Sequence, residues 1–212
     1  MLLIDQYPEH KDLIQFIDHC DHVKSTFELA KLYLETDFQN KGIDRELRQI
    51  LVEYSYLQIA QLIDPPESFD NRVRRKVPNF SIHYFLQVYD IGNCNEAKNF
   101  LETNKDIISS LKNARNKAIA HLDLLSIQEG RLYPGFSLKQ AVDFFESLSL
   151  LLNKFYTKAQ IDFRHKWDDT FIQRDFDIFK NIMCTGIEYA SHKSKFERKK
   201  KLSNNHLFER EQ

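Results

Sequence analysis

Glycine and proline are scarce in this chain, with Gly 5 and Pro 5 among 212 residues. Both residue types interrupt helices and build tight turns, so their scarcity disfavours folds made of many short strands. Long stretches hold leucine, lysine, glutamate, glutamine and alanine, which favour helices. The length suits a single domain with a sizeable core. We therefore expect an all-α helical bundle.

The chain also lacks a large net charge, paired cysteines and a long apolar run. A net charge of −1 excludes a global basic field that would attract nucleic acid indiscriminately. Cys20, Cys94 and Cys184 are far apart and form no Cys-x-x-Cys, which indicates reduced thiols. No run reaches membrane-spanning length, and the N-terminus is too short for a signal segment. We expect a soluble, cytoplasmic protein with no membrane partner.

Caps and breakers divide the chain into helices. Proline at Asp64-Pro65-Pro66 ends the second helix, and Ser137 with Gln140 forms a capping box before a clear 3.6-residue stripe. The predicted helices begin at or near Pro8, Asp44, Ser81, Asn95, Ser137 and Asp168. No run alternates as strands do. We expect one domain over residues 1–192, and a charged, frayed tail over 193–212.

One run near the end of the fourth predicted helix region suggests a chemistry: Arg115-Asn116-Lys117-Ala118-Ile119-Ala120-His121. Histidine can move a proton near neutral pH, and the planar fork of arginine matches the oxygens of a phosphate. The two residue types together suit phosphodiester cleavage without a metal.

The helix that carries this run has an apolar stripe, which at about 100° per residue contains Ile107, Leu111, Ala114, Ala118, Leu122 and Leu125. Arg115 and His121 border the stripe about 120° apart, so one helix alone makes a poor catalytic pair. Because Ala114 and Ala118 are small, a two-fold copy of the helix can approach closely and bring Arg115 of one chain towards His121 of the other.

Other candidate sites carry weaker signals. The cluster His19-Cys20-Asp21-His22 has no third ligand of a zinc site nearby, so we expect no metal. The basic loop Arg72, Arg74, Arg75 and Lys76 and the basic stretch 193–201 are candidate phosphate contacts. No glycine-rich nucleotide loop and no Ser-His-Asp arrangement stands out, although one sequence leaves spatial triads open.

Three segments extend the evidence beyond the motif. They are Arg45 to Asp64, then Val77-Pro78-Asn79-Phe80-Ser81-Ile82, then Leu111 to Asp123. In order and spacing, these segments and the Arg-x5-His run resemble the AbiU-type abortive-infection proteins of the HEPN superfamily. The resemblance covers residues 44–155, about half of the chain.

The resemblance implies an HEPN-like helical bundle that cleaves RNA as a homodimer, in a phage-defence or toxin–antitoxin system. Arg115 and His121 would be catalytic, with Asn116, Lys117 and Asp123 in support, and Ala114, Ala118 and Leu122 in the dimer interface. The expected partners are RNA, a second copy and an antitoxin or other defence-system protein. No cofactor is expected.

Two other interpretations stay open. A non-catalytic HEPN module would bind RNA or a partner protein, and Lys117 and the basic patches would then matter more than His121. A third interpretation is a purely structural helical dimer. Cleavage assays with and without a chelator separate the first interpretation from the other two.

Overall fold

The structure is a computed structural model that describes residues 2–38, 43–114 and 137–208. Its α-helices in chain order are α1 (Leu3–Gln6), α2 (Lys11–Glu35), α3 (Ile43–Leu62), α4 (Ile82–Val88), α5 (Asn95–Thr103), α6 (Lys105–Ala114), α7 (Leu138–Lys158) and α8 (Thr170–Phe208). A 3₁₀ turn at Pro8–His10 precedes α2, and strands β1 (Glu67–Asp70) and β2 (Arg75–Pro78) pair antiparallel. The all-α prediction is confirmed, because this hairpin is the one sheet in the described ranges.

The main core lies between α2, α7 and the shorter helices around them. α2 contributes ten buried side chains and α7 contributes eight. The Phe27 and Phe145 ring centroids, one on each helix, are 5.2 Å apart. Phe16 of α2 stacks on Phe85 of α4 at 4.4 Å. The two long helices therefore form the body against which α3 to α6 pack.

A smaller cluster attaches α8 to the body. Phe176 packs with Tyr33 and Phe38, and Met183 and Ile187 lie against the same group. The helical backbone continues to Phe208, through residues that the sequence assigns to a frayed tail. Despite the length of α8, no helix in the described part of the chain has the sustained apolar run that crossing a bilayer requires.

The structure places several helix ends as predicted and moves two. The Ser137–Gln140 capping box is confirmed, with Gln140 N donating to Ser137 Oγ at 3.2 Å. Asn95 is wrong as a cap, because Cys94 takes the extended cap conformation and its Sγ accepts from Ala97 N at 3.4 Å. Asp44 is also wrong as a cap, since α3 already begins at Ile43.

The helix predicted to run from Asn95 into the motif is divided in two at Asn104. This buried side chain donates to the carbonyl of Phe100 at 2.7 Å and to Ser147 Oγ of α7 at 2.8 Å. An asparagine amide that binds the backbone competes with the helical hydrogen bonds and favours a helix end. Asn104 therefore lies between the end of α5 at Thr103 and the start of α6 at Lys105.

Candidate functional site

α6 leads directly into the motif. Ile107 and Leu111 are buried in the main core, which confirms the first part of the predicted stripe. Ala114 is the last residue of α6. The remaining predicted motif and interface residues lie outside the described residues: Arg115, Asn116, Lys117, Ala118, His121, Leu122 and Asp123. The pairing of Arg115 with His121 thus stays a prediction.

The predicted basic loop is the tip and second strand of the β1–β2 hairpin. Arg72 and Arg74 lie in the turn, and Arg75 and Lys76 begin β2, all of them exposed. Carboxylates compensate only part of this charge, since Arg72 lies 3.7 Å from Asp70 and Lys76 lies 3.7 Å from Glu67. The hairpin is therefore a local basic patch on a chain that is close to neutral as a whole.

An exposed aromatic ring accompanies these cations. Phe69 of β1 is 61% exposed, and the strand register places it directly opposite Lys76. Opposite residues of an antiparallel pair project to the same face, so a flat apolar ring and an ammonium share one side of the hairpin. Such a pair suits single-stranded nucleic acid, in which a base stacks on the ring while its phosphate meets the cation.

Sequence reasoning missed Phe69 because four-residue strands give almost no alternation. The available signal was an aromatic residue three positions before a basic run. The tip itself is conformationally special, because Arg74 has a φ of 50°, in the left-handed region that side chains rarely adopt.

Polar contacts hold the base of the hairpin against the end of α3. The Asn79 amide donates to the carbonyl of Pro65 at 2.7 Å, and Ser68 Oγ donates to Asn79 Oδ1 at 2.8 Å. Two residues later, Ser81 caps α4 by accepting from Tyr84 N at 3.4 Å. These contacts join the hairpin to the helical body on both sides.

α4 in turn lies near the end of α6. Burial lowers the pKa of His83, and the positive charge of Lys112 lowers it further. Lys112 belongs to the last turn of α6, three residues before Arg115. His83, two residues after the Ser81 cap, is therefore close enough to Lys112 for their charges to interact.

A Ser-His-Asp contact exists, although none stands out in the sequence. His165 Nε2 lies 3.0 Å from Asp21 Oδ1, and its Nδ1 lies 3.2 Å from Ser149 Oγ. His165 is only 5% exposed, and Asn153 binds its backbone on both sides, with His165 N donating to Asn153 Oδ1 at 2.8 Å. This arrangement fixes the connection between α7 and α8 to the body, and a substrate has no access to the ring.

The cluster His19-Cys20-Asp21-His22 lies beside this contact. Cys20 is buried in the core and Asp21 is engaged with His165. Burial raises the pKa of the Cys20 thiol well above its usual range, which disfavours the thiolate that metals bind. Within the described ranges, no three His, Cys, Asp or Glu side chains converge on one point.

A protein-family model described as AbiU2, of the HEPN group, matches residues 45–179, more than half of the chain. The chain belongs to the AbiU2 family of HEPN proteins. The match confirms the predicted resemblance and extends it from residue 155 to the first ten residues of α8. No curated protein and no solved structure matches the chain.

Membership in the AbiU2 family indicates that the chain is an abortive-infection HEPN module. The matched range includes the hairpin, α4 to α7 and the whole Arg115–His121 run. It excludes α1 and α2, although α2 fills much of the core.

Proposed function

We propose that this AbiU2 protein is a metal-independent endoribonuclease that acts in abortive infection. The observation that carries the proposal is the Arg115–His121 run, which falls inside the matched range with the family's Arg-x5-His spacing. A basic hairpin with an exposed aromatic ring, inside the same matched range, supports the proposal.

In the proposed reaction, the 2′-OH of RNA attacks the adjacent phosphorus and loses its proton to a water molecule. The bond from phosphorus to the 5′-oxygen breaks, which yields a 2′,3′-cyclic phosphate and a 5′-OH. His121 donates a proton to the leaving 5′-oxygen, a step that typically contributes about 10² to 10⁴ in rate. Arg115 neutralises the charge that accumulates on the phosphorane oxygens. The proposed reaction needs no metal and no cofactor.

The active unit in this proposal is a homodimer. Ala114, Ala118 and Leu122 would form the contact between two motif helices, which would bring Arg115 of one copy to His121 of the other. The hairpin residues Arg72, Arg74, Arg75 and Lys76 would hold the RNA strand, with Phe69 stacking on a base. Asn116, Lys117 and Asp123 would support the phosphate or the helix that carries it.

RNA cleavage by the purified protein, with and without a chelator, tests the proposal. We expect cleavage that survives chelation and that His121→Ala and Arg115→Ala each reduce at least about 100-fold. His192→Ala and Arg164→Ala are matched controls, because both residues are exposed and outside the motif. Mapping of the products should find 2′,3′-cyclic ends.

One outcome would contradict the proposal, and another would concern the fold and not the chemistry. Cleavage that disappears with the chelator and survives His121→Ala would assign the chemistry to a metal. Equal losses in the control variants would point to damage of the fold.

A non-catalytic RNA-binding module is the second candidate, and the basic hairpin favours it because its charges do not depend on the motif. It predicts RNA binding without cleavage, and the same affinity in His121→Ala as in the wild type. A gel-shift titration beside the cleavage assay separates the two functions.

A further inference from the structure

α8 presents two apolar faces. The inner face packs on the body through Phe176, Met183 and Ile187. The outer face consists of four large side chains that remain exposed: Phe171 61%, Ile178 54%, Ile182 65% and Tyr189 70%. On a wheel of about 100° per residue, these four fall within about 40° of one another and about 140° from the inner face.

The spacing of the outer face is that of a helix–helix seam. Its intervals are seven, four and seven residues, as in the apolar positions of a heptad repeat. The four side chains extend over about 27 Å of helix. From this pattern we propose that the outer face of α8 is a two-fold contact with α8 of a second copy, with the two helices antiparallel.

The positions are self-complementary about Lys180. Phe171 and Tyr189 are each nine residues from Lys180, and Ile178 and Ile182 are each two residues from it. A two-fold axis at Lys180 therefore pairs Phe171 with Tyr189 of the other copy, and Ile178 with Ile182. Lys180 itself points about 180° away from the seam, so its charge stays in solvent.

The charges that flank the seam fit the antiparallel direction. Arg174 and Glu188 lie on the same flank of the seam, both exposed. In an antiparallel two-fold pair, equal flanks of the two helices lie on the same side, so Arg174 comes beside Glu188 of the other copy, once at each end. Within its own chain, Arg174 already contacts Asp175 at 3.2 Å. Complementary flanking charges of this kind set partner and orientation in helical pairs.

Gly186 supplies an independent observation. Glycine inside a helix costs about 1 kcal/mol relative to alanine, and a Cβ at Gly186 would meet no atom of its own chain within 4 Å. The fold of one chain therefore does not require this glycine. At the border of the seam, its missing side chain lets the facing helix approach closely.

Sedimentation velocity of the full chain, from about 1 to 100 μM, tests the contact. We expect self-association that Ile182→Lys weakens by roughly 100-fold, because an ammonium would be buried without a partner. Leu150→Lys is the matched control, since Leu150 of α7 is 67% exposed against 65% for Ile182. Circular dichroism verifies the helicity, and Ile182→Ser replaces Ile182→Lys if that variant loses it.

Charge exchange tests the direction of the helices. Arg174→Glu should weaken self-association, and Arg174→Glu combined with Glu188→Arg should restore it. The two residues are about 21 Å apart along one helix, so a rescue within one chain is impossible. Failure of the rescue would overturn the antiparallel contact.

Comparison with Ala118→Glu separates this contact from the proposed motif interface. Self-association that Ala118→Glu removes and Ile182→Lys leaves unchanged overturns the α8 contact. Loss in Ile182→Lys, alone or together with Ala118→Glu, supports it. A wild-type chain that stays monomeric throughout the range overturns both contacts. RNA cleavage by that monomer would show that the catalysis needs no second copy, so the failure of the contacts is distinguishable from the failure of the nuclease proposal.

Discussion

Single polar residues determine how the connections between helices are held in this protein. Asn104 ends α5 through Phe100 and attaches the break to Ser147. Lys24, buried in α2, lies 3.1 Å from Asp169 just before α8. Buried polar groups such as these are costly unless they are paired, so each contact specifies one arrangement of its connection.

His83 provides a residue-scale test of where α4 lies. We expect its pKa, measured by NMR titration, to lie below the ordinary value of 6.5 because of burial and the charge of Lys112. Lys112→Met should raise that pKa, whereas Lys158→Met, on α7, should leave it unchanged. An unchanged pKa in Lys112→Met would place the end of α6 away from α4.

The same shift has a consequence for stability. Since the folded-state pKa of His83 is below 6.5, the unfolded chain binds the proton more readily. The contribution of neutral, buried His83 to the free energy of unfolding is therefore complete above about pH 6.5. It is lost as the pH falls towards the folded-state pKa. Burial, with the charge of His22, shifts the pKa of His19 in the same direction, and the two effects add.

The hairpin gives the element-scale prediction. If RNA binds across the Phe69 face, Phe69→Ala should weaken single-stranded RNA binding by about 1–3 kcal/mol. Replacing Arg74 and Arg75 with Glu should flatten the log–log dependence of affinity on salt, by roughly 0.7 for each lost phosphate contact. Fluorescence anisotropy at several salt concentrations measures both effects.

Phe163→Ala is the control for that experiment, because Phe163 is also a half-exposed phenylalanine and lies outside the hairpin. Equal weakening by Phe69→Ala and Phe163→Ala, or an unchanged salt slope, would mean that the hairpin is only a solvated turn.

Elements with long apolar periodicity were predictable from the sequence, and short ones were not. The stripe of α7 and its capping box follow directly from residue spacing, and so does the end of α3 at the two prolines. The hairpin was missed because its strands are four residues each. The break at Asn104 depends on Ser147, 43 residues away, and a local pattern cannot contain that contact.

For the candidate site, the sequence predicted the residue types and the chemistry they suit, but not which residues lie close together in space. The residue types of the Arg115–His121 run indicate phosphate binding and proton transfer, and the run lies inside the residues that the family model matches. The placement of Phe69 opposite Lys76 follows from the strand register. The closeness of His83 to Lys112 depends on how the helices pack. Spatial neighbours of this kind are set by tertiary structure, which spacing along the chain does not encode.

At the scale of the whole molecule, α2 is indispensable although it precedes the matched range. We predict that a fragment beginning at residue 43 does not fold, because removing α2 exposes the faces of α4 and α7 that pack on Phe16 and Phe27. Circular dichroism and thermal melting of the fragment should show no cooperative transition. A cooperative transition near that of the full chain would contradict this prediction.

The position of α2 also bears on how such proteins evolve. Side chains that share a core must change together, because volume lost on one helix has to be restored on another. A relative with a different N-terminal helix should therefore carry compensating replacements inside the matched range, first at positions such as Phe145, which faces Phe27. The segment by which the family is recognised is thus shorter than the segment that has to co-evolve.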